Sequence, residues 1–275
     1  MSLIGFIQGR LSPMVNNKIQ SFPWEHWKNE FSIAFNNKLK IMEWTLDYEN
    51  LYNNPLMTND GQNEIIQLCN KNKIDIPSLT GDCFMHMPYF KFDGFKKDDL
   101  IEDFKNIIKS SHKINIKIIV VPLVDNGSIE NQNQESKFLE GLDCIKPLLK
   151  ELNIRIAFES DYEPKKLNEL ISVLPHTYFG INYDTGNSAS LNYDIKEEFG
   201  LYGDRIINVH IKDRLVNGPT VPLGQGDTDF AEIFKQLKLI NYDGNLILQT
   251  ARAEKNNDER VLNEYRKFVI SFLDK

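Results

Sequence analysis

The sequence predicts an α/β fold, a single (β/α)8 barrel, and three observations support this. The chain has 275 residues, close to the roughly 250 residues that one such barrel typically needs. Strand-like and helix-like segments alternate along the whole chain. Several strand segments, such as residues 116–121, are almost continuously apolar, which is typical of parallel strands covered on both faces. We therefore expect one barrel domain over residues 1–275.

Eight short runs rich in β-branched residues are the predicted strands, and each is followed by a stretch with helical periodicity. The strands are predicted at residues 3–8, 39–45, 74–79, 116–123, 155–159, 178–184, 206–211 and 245–250. The helices are predicted at 24–37, 61–72, 98–113, 134–152, 164–173, 194–203, 229–239 and 257–273.

A doubly wound open sheet also alternates strands with helices, but two features argue against it. Such sheets rarely reach eight units, and many carry a glycine-rich phosphate-binding turn after the first strand. Here the first strand continues into Gln-Gly-Arg-Leu-Ser-Pro at residues 8–13, which is no such turn. No linker or low-complexity tract marks a second domain.

Charge and composition exclude several classes of protein. A net charge of −7 and a pI near 5.4 argue against nucleic acid as a partner. We expect a cytoplasmic protein, because the sequence shows neither an apolar run long enough to span a membrane nor a signal peptide. The three cysteines lack CxxC spacing, so neither a disulfide framework nor a structural zinc site is indicated.

Polar residues at four predicted strand ends form the candidate site. Glu159, Asp184, His210 and Gln249 follow the fifth, sixth, seventh and eighth strands, respectively. The strand ends of such a barrel converge on one face, where catalytic residues lie. Two carboxylates, an imidazole and an amide oxygen suit one divalent ion, Mn²⁺, Mg²⁺ or Zn²⁺, which could polarise a substrate carbonyl.

Three segments resemble the xylose-isomerase-like superfamily of TIM barrels: Tyr-Asp-Thr-Gly-Asn at 183–187, His-Ile-Lys-Asp at 210–213 and Pro-Leu-Gly-Gln-Gly-Asp-Thr-Asp-Phe at 222–230. This superfamily includes sugar isomerases, ketose 3-epimerases, inosose dehydratases and AP-endonuclease family 2 enzymes, and the resemblance covers nearly the whole chain. It implies a metal held by Glu159, Asp184, His210 and Gln249, with Glu159 as the catalytic base. It also implies a sugar or sugar-phosphate substrate and leaves a homodimer as an option.

The sequence departs from this family at two positions. Gln249 stands where the epimerases carry a glutamate that binds metal and exchanges a proton, and an amide cannot be a general base. Asn187 stands where several relatives have a histidine, so we expect it to bind a substrate hydroxyl. With only five histidines in the chain, a trinuclear zinc site of the endonuclease type is not expected.

Three functions therefore remain open. The first is a metal-dependent sugar or sugar-phosphate isomerase or epimerase in which Glu159 moves a proton beside a polarised carbonyl. The second is a metal-dependent dehydratase acting on a polyol or keto-sugar acid. The third is a sugar-binding barrel without catalysis, because Gln249 replaces the usual acid.

Further residues near the strand ends are candidates for substrate contacts. Arg10, Arg214 and Arg252 lie just beyond strand ends, where guanidinium groups could bind a phosphate or carboxylate; Arg252 is the strongest candidate. Lys212 is expected either to contact the substrate or to pair with an acid.

Glu43 and His86 each allow two interpretations. Glu43 could bind a hydroxyl or hold a catalytic partner. His86 could bind the substrate or be packed among the neighbouring methionines and aromatic residues.

Overall fold

Eight parallel strands close into a barrel in the computed structural model, which describes residues 3–253 and 257–273. The barrel strands are β1 (Leu3–Ile7), β2 (Ile41–Thr45), β3 (Asp75–Thr80), β4 (Ile118–Leu123), β5 (Arg155–Ser160), β6 (Phe179–Asp184), β7 (Ile206–Ile211) and β10 (Asn245–Leu248). Each pairs with the next barrel strand along the chain, and β1 pairs with β10 to close the ring. The predicted fold class is confirmed, as are all eight predicted strands.

Ten α-helices lie in the described residues. They are α1 (Trp27–Asn36), α2 (Asn59–Asn72), α3 (Asp82–His86), α4 (Gly94–Lys113), α5 (Gln132–Leu152), α6 (Pro164–Ser172), α7 (Thr185–Ser190), α8 (Ile195–Tyr202), α9 (Phe230–Leu239) and α10 (Asp258–Leu273). Eight correspond to predicted helices; the short α3 and α7, which directly follow β3 and β6, were not predicted. Among the described helices, none has an apolar stretch sufficient to cross a bilayer.

Each strand buries both of its faces. One face packs against the helices in a core rich in large aromatic side chains. Trp44, Phe31 and Phe138 in this core are fully buried. Burying one such side chain stabilises the fold by roughly 1.5–3 kcal/mol relative to leaving it exposed. The opposite face lines the barrel interior, where Ile41 and Ile247 belong to a separate apolar cluster.

The barrel interior becomes polar towards the carboxyl ends of the strands. Glu43 lies two residues beyond Ile41 and therefore points into the same interior. Its carboxylate contacts His210 on β7, although β1 and β10 separate β2 from β7 in the ring. This contact across the lumen places the candidate site at the carboxyl-end mouth of the barrel.

The loop after β1 is fixed by a carboxylate from α1. Glu30 is fully buried and accepts hydrogen bonds from the backbone N–H groups of Gly9 and Leu11. Gly9 adopts φ +94°, and a Cβ there would lie 2.9 Å from the carbonyl oxygen of Ser21, so this turn requires glycine. The loop therefore has a defined course over the mouth.

A second buried carboxylate organises the segment after β7. The short strands β8 (Asp213–Arg214) and β9 (Thr220–Val221) form an antiparallel hairpin there. Asp213 is 0% exposed and accepts hydrogen bonds from the backbone N–H groups of Gly224, Gly226 and Thr228. One side chain thus shapes the chain from 222 to 228.

Candidate metal and substrate site

Glu159, Asp184 and His210 converge at the barrel mouth. They lie at or near the carboxyl ends of the neighbouring strands β5, β6 and β7. One ligand atom from each lies within 4.8 Å of the others, and all three side chains are buried. This is the spacing that a single ion needs in order to contact all three residues.

Glu159 is held by two amide side chains. Its Oε1 accepts a hydrogen bond of 2.6 Å from Asn187, and its Oε2 accepts one of 2.8 Å from Asn182. Burial alone would raise the pKa of Glu159, but the contact with His210 and the charges of His210 and Lys212 outweigh it and lower the pKa below its ordinary value. Glu159 is therefore a carboxylate able to accept a proton or to bind a cation.

Asp184 caps a helix with one oxygen and faces a cation with the other. Its Oδ1 accepts hydrogen bonds from the backbone N–H groups of Gly186 and Asn187 in the first turn of α7. Its Oδ2 lies 2.6 Å from Nζ of Lys212. Burial raises the pKa of Asp184, and the charge of Lys212 acts in the opposite direction.

His210 is oriented by Glu43. Nε2 of the imidazole lies 2.7 Å from Oε1 of Glu43, while Nδ1 lies 3.2 Å from Oε2 of Glu159. Burial would lower the pKa of His210, but the charges of Glu43 and Glu159 and their contacts with the ring outweigh burial and raise the pKa to about 10. The ring thus presents Nδ1 to the candidate site.

Glu43 is itself fixed by hydrogen bonds from its other side. Its Oε2 accepts hydrogen bonds from Oγ of Ser78 and from Nδ2 of Asn208, at 2.7 and 3.0 Å. A carboxylate that holds a histidine in this way is the usual support for a metal ligand.

The donor atoms fit a divalent cation. Oε1 of Gln249 is buried and has no hydrogen-bond partner among the described residues, although such buried atoms normally have one. Nδ1 of His210 faces Oε2 of Glu159 at 3.2 Å. Gln249 follows β10, whose neighbour in the sheet is β7. Two carboxylates, one imidazole nitrogen and one amide oxygen suit an ion with borderline or hard preferences, which would displace the proton that the raised pKa of His210 keeps on the ring.

The predicted substrate contacts Arg10 and Arg252 are engaged with the backbone. Arg10 donates hydrogen bonds to the carbonyl oxygens of Thr250 and Ile19. Arg252 donates to those of Gly9 and Ser12. Both guanidinium groups thus tie the loop after β1 to the end of β10.

Three more predicted contacts also have partners within the protein. Glu43 is fully buried beneath His210, and this favours the interpretation that it holds a catalytic partner. Lys212 pairs with Asp184. Asn187 donates to Glu159 and accepts a hydrogen bond from Arg214.

His86 lies at the rim of the barrel mouth. The interpretation that it is packed among apolar neighbours is wrong, because its side chain is exposed. It lines an open cavity of about 640 Å³ together with Asp47 and Lys18. It is therefore placed where a ligand could meet it.

Sequence reasoning missed the polar residues that support the site. Asn182 and Asn208 lie two residues before Asp184 and His210 and bond to each other at 2.8 Å. Strand periodicity alone could have indicated that they share the interior face. Ser78, on the distant β3, carried no comparable signal.

Residues 38–270 match the family model described as "Xylose isomerase-like TIM barrel". The chain belongs to this family. It is 24% identical over 265 residues to a protein of Haemophilus influenzae named "Putative L-ribulose-5-phosphate 3-epimerase SgbU", covering 90% of this chain and 92% of that relative.

Solved structures share the fold of this xylose isomerase-like barrel. D-allulose 3-epimerase from Methylomonas sp. matches with a TM-score of 0.78 and 13% identity, covering 98% of both chains. The IOLI protein, solved with a bound zinc atom, matches with a TM-score of 0.73 and 16% identity over 99% of this chain and 98% of that one. These similarities establish a common architecture.

Proposed function

We propose that this protein is a metal-dependent sugar or sugar-phosphate isomerase or epimerase. The observation that carries the proposal is the convergence of Glu159, Asp184 and His210 within 4.8 Å at the barrel mouth. The unpartnered Oε1 of Gln249 supports a fourth ligand position. The name of the Haemophilus influenzae relative supports a ketose phosphate as the substrate class.

A bound divalent ion would polarise the carbonyl of the substrate and stabilise the negative charge that forms beside it. Glu159 is the group that moves the proton. It is ionised, and amide side chains fix both of its oxygens. In the proposed isomerisation it takes the proton from the carbon next to the carbonyl and becomes a carboxylic acid, which returns that proton to the former carbonyl carbon. The hydroxyl proton on the first carbon moves to the former carbonyl oxygen, so the two groups exchange places.

The surrounding residues leave Glu159 as the only group of the proposed ligand set that can act as the base. Asp184 is held by Lys212 and by two backbone N–H groups, and Gln249 has no titratable group. Within this ligand set Glu159 is therefore the base, and a single base favours transfer between adjacent carbons, as in aldose–ketose isomerisation. Epimerisation would need a second group on the opposite face of the sugar.

Metal analysis is the first test of the proposal. Protein purified without chelator should contain nearly one equivalent of Mn, Mg or Zn by mass spectrometry. Glu159→Gln and His210→Ala should lose most of that metal, because each removes a ligand from the site. The exposed residues Glu151 and His176 provide matched controls, Glu151→Gln and His176→Ala, which should retain it.

The second test measures proton exchange. The metal-loaded protein is incubated with L-ribulose 5-phosphate, L-ribulose and D-psicose in D₂O, and incorporation of deuterium at carbon is followed by NMR. Exchange with formation of an aldose, or of a ketose epimer, identifies the reaction. Protein that neither retains nor takes up a divalent ion contradicts the proposal and favours a sugar-binding barrel without catalysis.

A further inference from the structure

Asp82 is a largely buried residue whose carboxyl group has no hydrogen-bond or ion-pair partner among the described residues. It follows β3 as the first residue of α3, and only 8% of the residue is exposed. No hydrogen bond or ion pair joins its side chain to another residue in the described part of the chain. Its oxygens are not among the fully buried polar atoms that lack a partner, so they keep contact with water that a ligand could replace.

The backbone holds Asp82 at the barrel mouth. The N–H of Gly81 donates to the carbonyl of Val120 on β4, and the N–H of Cys83 donates to that of Leu46, which follows β2. A Cβ at Gly81 would lie 2.4 Å from the ring of Phe84, so α3 packs closely against this turn. The backbone of Asp82 therefore has a fixed position at the mouth.

Two groups of charges surround Asp82. Asp47 lies on the side of the open cavity at the mouth, and Glu159 and His210 belong to the candidate metal site. All three are near enough to change the pKa of Asp82, which burial, Asp47 and Glu159 raise to about 8. At neutral pH the group is therefore mostly a neutral carboxylic acid, with one O–H donor and acceptor oxygens.

We propose that Asp82 is a substrate-contacting residue that exchanges hydrogen bonds with a hydroxyl group of the sugar held at the candidate metal site. A sugar hydroxyl both donates and accepts, so it would satisfy both functions of the carboxyl group. The inference rests on the proposed function, which supplies the polyhydroxylated substrate.

Binding of sugars to the metal-loaded protein tests the inference. L-ribulose, D-psicose and D-tagatose, with the monodeoxy analogues of the sugar that binds most tightly, are titrated by calorimetry into wild type, Asp82→Ala and Asp82→Asn. Asp98→Ala, which changes an exposed aspartate on α4, is the control. Melting temperatures show whether each variant folds.

We expect the wild type to bind one deoxy analogue about tenfold more weakly than its parent, which corresponds to one lost hydrogen bond. Asp82→Ala should bind the parent sugar about tenfold more weakly and no longer distinguish that analogue. Asp82→Asn should keep part of the discrimination, since an amide also donates and accepts. The melting temperature should not fall, because no contact within the protein is lost.

Three results would overturn the inference. If Asp82→Ala binds the sugars like wild type, or weakens every analogue by the same factor, Asp82 contacts no hydroxyl, although the proposed function stands. If the metal-loaded wild type binds none of the sugars and also exchanges no deuterium into L-ribulose 5-phosphate, the proposed function and this inference both fail. A clear fall in the melting temperature of both variants would assign Asp82 to the fold instead.

Discussion

Glu43 shows how a residue outside the candidate ligand set can control it. It is 0% exposed and accepts hydrogen bonds from Ser78 and Asn208 while contacting Nε2 of His210. These bonds fix the imidazole so that Nδ1 faces Glu159 and Asp184. The geometry of the site therefore depends on a carboxylate that need not touch either the metal or the substrate.

Glu43→Gln should weaken metal binding by roughly ten- to a hundredfold, the usual effect of losing a carboxylate that supports a metal-bound histidine. The glutamine side chain still offers an oxygen that can accept a hydrogen bond from Nε2 of His210. It carries no negative charge, so it no longer strengthens the binding of Nδ1 to a metal ion. Competition with a chelator measures the affinity. Glu49→Gln changes an exposed glutamate nearby and should leave it unchanged; equal affinities in both variants would remove Glu43 from this role.

At the residue scale, sequence predicted the positions of Glu159, Asp184 and His210 because each ends an apolar strand. Whether they share a site with Gln249 in solution is for the metal analysis to decide. Sequence could not distinguish an arginine that binds a ligand from one that binds backbone carbonyls. Arg10 and Arg252 have the right location for either, and only the positions of the carbonyl groups separate the two roles.

At the scale of elements, the loop after β1 is held by side chains from both ends of the chain. Glu30 from α1 accepts hydrogen bonds from backbone N–H groups of the loop, and Arg252 beyond β10 donates hydrogen bonds to its carbonyl oxygens. The loop therefore links the first and last strands of the ring on the side where substrate enters. Its order depends on both side chains.

Arg252→Ala should destabilise the fold by about 1–3 kcal/mol, because it leaves buried carbonyl oxygens without donors. Urea unfolding measures the loss. Arg260→Ala is the control, since the Arg260 side chain is 70% exposed and pairs with Glu264 at 3.7 Å. Such surface pairs contribute about 0–1 kcal/mol. A variant with wild-type stability but a raised KM would instead support the predicted contact of Arg252 with substrate.

At the scale of the whole molecule, the fold could be predicted because hydrophobic periodicity repeats through every strand and helix. The short helices α3 and α7 could not be predicted in this way. Each has only five or six residues, too few for helical periodicity to appear. Both carry or adjoin candidate site residues, Asp82 and Asp184.

Stability should also depend on the pH through Glu30. Burial outweighs the hydrogen bonds from Gly9 and Leu11 and raises its pKa to about 7, above its ordinary value near 4.3. Between these two values the folded protein binds more protons at this residue than the unfolded chain does. The contribution of Glu30 to the free energy of unfolding should therefore rise as the pH falls from above 7 towards 4.5 and level off below that.

Urea unfolding at several pH values tests this contribution. Glu30→Gln should be less stable than wild type, because an amide matches the N–H donors of the loop poorly, and the pH dependence attributed to Glu30 should disappear. Glu25→Gln, at an exposed position, should reproduce the wild-type pH profile. If Glu30→Gln keeps that profile as well, Glu30 does not titrate in this range.

The hydrogen bonds from three backbone N–H groups to Asp213 restrict which changes in chain length this barrel can accept during evolution. An extra residue inserted between 222 and 228 would move a backbone N–H group too far from that carboxylate to form its hydrogen bond. An extra residue at Asn217, in the exposed turn of the β8–β9 hairpin, would only lengthen the turn. Insertions and deletions among descendants of this sequence should therefore collect at the hairpin tip and avoid the segment behind it. Chain length, more than side-chain identity, is what natural selection would hold constant there.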